Sequence, residues 1–223
     1  MGYLMNTSSP LKIDIISDVV CPWCVVGYRQ LLQALNVTNT AYELTWHPFE
    51  LNPDMGPEGQ NLREHIMEKY GTTAEESEKT RNHITKMGKE VGFDFAFRDD
   101  MRMYNTFDAH QLLHWAGEEG KANDLKQAFF ATYFTDQKNL SDRDVLADVA
   151  ASVGLEKVEA LKVLKDQRFA QNVRQLENFW HEQGILSVPA IVFKSKHLVS
   201  GAQGIENYIA ILQQLVDLES AEG

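Results

Sequence analysis

An α/β fold in which a βαβ opening and a ββα close are separated by a long all-helical insertion is the architecture this sequence predicts. Three observations predict it. Two strand-like segments flank a helical one within the first 48 residues, helical periodicity runs without a convincing strand from about 61 to 183, and strand patterning returns at 189–200 ahead of a last helix.

The first strand is read at 11–16, LKIDII, where Leu11, Ile13 and Ile15 share one face. After the loop Asp18–Cys21, the apolar set Trp23, Val26, Leu31, Leu32 and Leu35 suits a helix beginning at Pro22. Proline is favoured at a first helical position because its missing N–H would be unpaired there anyway. Residues 41–47, AYELTWH, alternate Tyr42, Leu44 and Trp46 against polar partners, the period of a second strand. Prolines and glycines between Pro48 and Gly59 break any period and mark a connection. The insertion then reads as five to seven helices. Thr73 with Glu76 and Ser141 with Asp144 give start signals, and Gly154 and Gly184 give stops. PAIVF at 189–193, a turn at Lys194–Lys196 and His197–Ser200 form a hairpin, and Ile205, Tyr208, Ile209 and Leu212 open the closing helix. Residues 1–60 and 184–223 are thus expected to form one domain around an insertion of 61–183.

The 223 residues carry 21 Lys+Arg against 32 Asp+Glu, a net charge of −11 that repels phosphate backbones and anionic lipid surfaces. Nucleic acid and membrane are therefore not expected as partners. No apolar run approaches a membrane span. The start, MGYLMNTSSP, lacks a basic n-region and a continuous apolar h-region, so a cytoplasmic location is expected.

Two cysteines cannot build a dense disulfide framework, and they stand together as Cys21-Pro22-Trp23-Cys24. Chance would place two cysteines at this spacing in roughly one chain in a hundred. At a helix N-terminus the orphan N–H groups and positive dipole end favour a thiolate, so Cys21 is expected to have a lowered pKa and to attack. Cys24, one turn further in, would resolve the mixed disulfide. Neither Pro22 nor Trp23 brings a charge, which implies moderate thiolate stabilisation. A Cys2His2 zinc site using His110 and His114 is the other chemistry the spacing admits. It is disfavoured because the cysteines open a helix inside a βαβ unit, and no metal or cofactor is called for. His47 and the His110/His114 face read as structural, and Glu75, Glu76 and Glu78 as a solvated helix face.

Five segments in order, IDIISDVVCPWCVVGYRQL, WHPFELNPDMGPEGQNLREH, YNTFDAHQLLHWA, FFATYFTDQKNLSDRDVLADVAASVGL and GILSVPAIVFKSKHLVSGAQ, resemble the DsbA-like thiol oxidoreductases of the thioredoxin superfamily, specifically their FrnE-like branch. The resemblance implies a thioredoxin fold split by a helical domain and thiol-disulfide exchange with protein thiols and disulfides, with glutathione as a further candidate partner. It also implies that Pro189 is a cis-proline facing the cysteine pair and that Val188 offers its backbone to an incoming peptide. Phe49, Leu51 and Asn105 would line the cleft between the domains, with loop packing and helix capping as their plain alternatives.

Kappa-class glutathione transferases and chromene-carboxylate isomerases share this architecture and are the rival reading. They typically have serine where Cys21 stands. The Asp-Arg pair with which they hold glutathione is not evident at Ala202 and Gln203, and charged anchors for glutathione are not expected here. A third reading is a holdase whose helical insertion offers an apolar groove.

Overall fold

In the computed structural model, residues 9–56 and 58–222 are described, without the side chains of 219–222; residues 1–8, part of the 1–60 range, lie outside the description. The order is β1 (Leu11–Ser17), α1 (Pro22–Val37), β2 (Tyr42–Pro48), β3 (Gln60–Asn61), α2 (Leu62–Tyr70), α3 (Ala74–Glu90), β4 (Arg102–Met103), α4 (Phe107–Glu118), α5 (Ala122–Phe134), α6 (Arg143–Ser152), α7 (Lys157–Asp166), α8 (Ala170–Glu182), β5 (Ala190–Phe193), β6 (His197–Ser200) and α9 (Ile205–Glu222). This is a thioredoxin fold of mixed α/β type that carries a helical insertion. No helix among the described residues is long and apolar enough to cross a membrane.

The main sheet runs β2-β1-β5-β6. β1 lies parallel to β2, with Ile15 opposite Trp46, and antiparallel to β5, with Ile15 opposite Ile191. Alternation along β1 sends Ile13 and Ile15 into a core with Leu31 and Leu35 of α1 and Tyr208 and Leu212 of α9, while Ile16 packs on the other face with Trp180 of α8. The apolar face read from LKIDII is therefore the face that α1 and α9 cover.

The helices between β2 and β5 have a core of their own. Leu112, Phe129, Phe130 and Leu146 are fully buried, each worth about 1.5–3 kcal/mol in apolar transfer. That core is continuous with Val19, Val20, Cys21 and Cys24 at the start of α1, so the cysteine turn lies where the two packed regions meet.

Two local features differ from expectation. β3 and β4 pair antiparallel through Gln60–Met103 and Asn61–Arg102, a ladder too short to show a period of two. α6 starts one residue later than its signal suggested. Asp142, not Ser141, is the cap, its carboxylate accepting from the N–H groups of Asp144 and Val145 at 2.9 and 3.2 Å. Thr73 and Glu76 do form a reciprocal capping box on α3.

Candidate active site

β1 ends at Ser17, and the next four residues turn the chain so that Cys21 caps α1 in an extended conformation with Pro22 in the first helical turn. The turn is held by the Cys21 N–H on the Asp18 carbonyl (3.2 Å) and the Cys24 N–H on the Cys21 carbonyl (3.1 Å). Both cysteines are free thiols. The Cys21 S–H points to the Val188 carbonyl at 3.7 Å, and the Val188–Pro189 peptide is cis. Gly27, one turn beyond Cys24, makes this approach possible: a Cβ there would stand 3.3 Å from Pro189 Cγ and 3.5 Å from the Ala202 backbone. Cys21, Cys24, Val188 and Pro189 are thus brought together from opposite ends of the chain.

A cavity of about 300 Å³ opens beside them, lined by Cys21, Pro22, Trp23, Leu51 and Val188 on one side and by α2, α3 and α5 on the other. Cys24 does not reach its wall. Nor do Phe49 and Asn105, although the resemblance placed them in the cleft with Leu51. Phe49 is buried with its ring stacked 5.4 Å from that of His181, and its carbonyl accepts from His110 Nε2 (3.1 Å). Asn105 accepts from the Phe107 N–H (2.9 Å), closing the first turn of α4, and donates to Glu50 (3.1 Å) and the Pro53 carbonyl (3.2 Å). Both fasten the loop after β2 to the helices, which is the plain alternative for each.

Beneath the sulfurs lies a charge cluster. Lys126 of α5 is fully buried, its ammonium 3.3 Å from the Ser17 carbonyl and 5.2 Å from the centres of the Trp46 and Phe130 rings. Burial pushes its pKa down to about 8 against the pull of Cys24, Asp18 and Cys21. Asp18 is fully buried too. It accepts from the Leu51 N–H (2.8 Å) and lies 3.4 Å from His110 Nε2. Burial alone would raise this carboxyl, but His110, the Leu51 N–H and Lys126 together hold it below its ordinary value.

The two thiols divide differently from expectation. Burial pushes Cys21 well above an ordinary thiol, and the hydrogen bond and charge of Cys24 add to the rise. Burial also disfavours a Cys24 thiolate, but the Cys21 hydrogen bond, the Lys126 ammonium, Ser17 and the Asp18 backbone overcome it and hold Cys24 below the ordinary range. After the Cys21 hydrogen bond, the Lys126 ammonium from a distant helix is the next group that lowers Cys24, and it is not among the chief groups acting on Cys21. Cys21, whose thiol is held up, is the sulfur that faces the cavity, and Cys24, held down, lies behind it.

A stability test follows from Asp18. Because its folded pKa is depressed, its contribution is present above the unfolded value of 3.8 and lost as the pH falls through the lower folded value. Asp18→Asn should cost on the order of 3 kcal/mol near neutral pH, where it removes the one carboxylate among the buried groups that pull on Lys126. It should also flatten the acid limb of thermal unfolding midpoints measured below about pH 4.

Sequence reasoning missed Asp18 and Lys126 and set His110 aside. A signal for Lys126 was present: it stands four residues before Phe130, on the buried stripe that Leu125, Phe129 and Tyr133 also occupy. His65, Lys69 and Arg81, which line the cavity, were missed as well, so the expectation of no charged anchors is overturned. His47 pairs with Asp14 (2.7 Å) and meets the edge of Trp180, away from the thiols. His114 packs on Phe169, 5.0 Å between ring centres, and among the described residues no group of three or more His, Cys, Asp or Glu is placed to hold a metal ion.

Comparison with known proteins matches residues 12–213 to a DSBA-like thioredoxin domain. A crystal structure of a probable DsbA oxidoreductase from Streptomyces coelicolor superposes with a TM-score of 0.86 at 31% identity, covering 92% of this chain and 89% of that one. The uncharacterized protein YwbO of Bacillus subtilis (strain 168) is 26% identical over 195 residues, 87% of this chain and 92% of its own length. The cytosolic disulfide reductase DsbM of Pseudomonas aeruginosa superposes with a TM-score of 0.66 at 16% identity, covering 93% of this chain and all of that one, a likeness of fold alone.

Proposed function

The chain belongs to the DSBA-like thioredoxin domain family of oxidoreductases, and from that premise we propose that it exchanges disulfides in polypeptide substrates through Cys21 and Cys24. The observation that carries this reading is the position of Cys21, the one sulfur of the pair that lines the cavity, beside the Val188 carbonyl. We assign the thiols to the domain of 1–60 and 184–223, as far as its residues are described, and their cover to 61–183.

In the reaction, Cys21 gives up its proton, with the neighbouring Cys24 sulfur, the one whose pKa is held lower, as the group placed to receive it when ionised. The resulting Cys21 thiolate attacks one sulfur of the substrate disulfide, releasing the other as a thiolate that takes up a proton. Cys24, deprotonated again beside Lys126, then attacks Cys21 Sγ. This step forms the Cys21–Cys24 disulfide and frees the second substrate thiol, so two electrons pass from the protein to the substrate. Run backwards, the same steps oxidise a substrate dithiol. Val188 lends its backbone to an extended peptide by short strand pairing, and Pro22 and Trp23 keep the approach to Cys21 uncharged.

The deciding experiment combines a titration of the pair against glutathione buffers with assays of insulin reduction and of reshuffling in a misoxidised test protein. Catalysis that disappears when both cysteines are replaced supports the reading. Suppression of aggregation that persists without them would instead indicate a holdase, and strong conjugation of glutathione to aromatic halides that survives Cys21→Ser would indicate a transferase or isomerase.

A further inference from the structure

The protein carries a net charge of −11, yet among the described residues lining the cavity beside Cys21 no acidic side chain appears, while His65, Lys69 and Arg81 all do. The rest of that lining is chiefly apolar, including Leu62, Ile66, Ile84, Phe97 and Phe134. Its polar atoms are only partly engaged. Lys69 Nζ donates to the Leu51 carbonyl (2.6 Å) and Asn52 Oδ1 (2.7 Å), leaving one of its three protons without a protein acceptor among these bonds. The Arg81 guanidinium stands 3.6 Å from Asp99, an exposed carboxylate that Arg63 also holds, and Arg81 Nε is buried without a partner, as is the Thr72 hydroxyl. A cavity of about 300 Å³ exceeds the need of a single small side chain and sits at the lower end of the range for small-ligand sites.

From this charge pattern we infer that the cavity selects the substrate, favouring disulfides whose reacting sulfur is joined to an apolar group of aromatic size bearing a carboxylate. The inference rests on the reading of Cys21 as the attacking sulfur and adds a specificity that the exchange chemistry does not require. The apolar group fills the space among Leu62, Ile66, Ile84 and Phe97, and the carboxylate meets Arg81 or Lys69, where partial burial makes a charged hydrogen bond stronger than at an open surface. Glutathione has the carboxylates without the apolar body and is a poor fit. The same chemistry is available from an acidic peptide with an aromatic residue beside its cysteine or from a small aromatic thiol acid.

The test uses mixed disulfides that share 2-thiopyridine as the leaving group. Attack by Cys21 forms the Cys21–substrate disulfide and releases thiopyridone, whose appearance gives the rate. Cys24 then displaces the substrate thiol. The peptide arm compares capped Cys-Phe-Glu, Cys-Phe-Gln and Cys-Gly-Glu, and the small-molecule arm compares 4-(mercaptomethyl)benzoate with its amide. Each rate is divided by that of the urea-unfolded protein at the same pH to remove intrinsic reactivity. We expect the acid to exceed its amide roughly tenfold in at least one arm, and Cys-Phe-Glu to exceed Cys-Gly-Glu by a similar factor. Arg81→Gln or Lys69→Gln should bring the acid-to-amide ratio toward one, whereas Lys165→Gln, an exposed site on α7, should not. The arm that shows the preference identifies the source. Equal normalised rates for acid and amide in both arms, with thiopyridone release well above that of Cys21→Ser, would overturn this inference and leave disulfide exchange standing. Release no faster than in Cys21→Ser would overturn both.

Discussion

Cys21→Ser should abolish disulfide exchange, and Cys24→Ser should leave attack intact and trap the protein as mixed disulfides. The asymmetry comes from access rather than from resting charge. Cys21 is 3% exposed and lines the cavity, whereas Cys24 is fully buried and does not, so an incoming disulfide meets one sulfur only. In the proposed exchange Cys24 acts only from within, on the mixed disulfide at Cys21. Without Cys21 the remaining thiolate is walled off, and exchange should fall to the background rate. Without Cys24, the first bond forms and cannot be resolved within the molecule. Mass spectrometry after exposure to oxidised glutathione or a peptide disulfide reads both outcomes: adducts on Cys21 in Cys24→Ser, and none in Cys21→Ser. Adducts on Cys24 in the Cys21→Ser protein would reverse the assignment.

The second large effect is expected at Lys126. Its ammonium lowers the Cys24 pKa in the reduced pair, and in the neutral disulfide it keeps Asp18 but loses the sulfur, so it favours the reduced state. Lys126→Met should therefore make the pair a stronger reductant, by about 30 mV for each pKa unit of thiolate stabilisation lost in this two-electron couple. Because burial brings the lysine to about 8, the wild-type potential and the rate of thiol alkylation should both change slope near that pH. In Lys126→Met the break should vanish. A stranded Asp18 carboxylate could unsettle that variant, so the pair Lys126→Met and Asp18→Asn, which keeps the interior neutral, serves as the second arm and should also lack the break. Retention of the break in both variants would assign it to another group.

The strands and helices were legible where one face repeats. Ile13 and Ile15 announce β1, and Thr73 with Glu76 announces α3, because burial and capping leave marks within a few residues. The cysteine turn was legible for the same reason: Pro22 and the short spacing are local. What lay beyond the sequence was whatever depends on segments meeting. The position of Lys126 on a buried stripe could be read from α5, but what its ammonium meets, the Ser17 carbonyl and the cysteine turn, appears only when α5 lies beside the end of β1. Asn105 and Phe49 erred the other way. The resemblance placed them along the cleft, with loop packing and helix capping as the alternatives, and their hydrogen bonds and ring stacking hold a loop. The β3–β4 pair, two residues a side, was too short for any periodic signal.

The sheet order β2-β1-β5-β6 has a consequence for the birth of the protein on the ribosome. The first strand can pair with β2 almost at once, but its other edge waits for β5, and Cys21 waits for Val188, 167 positions later in the chain. Lys126 arrives midway. Until the last segment emerges, the cysteine turn has neither the carbonyl that receives its S–H nor the completed wall that narrows access to it, and β1 presents an unpaired edge. A nascent or truncated chain would therefore display two ungoverned thiols beside an open strand, prone to couple with any neighbour. The wall around the cysteine turn is complete only in the full-length chain.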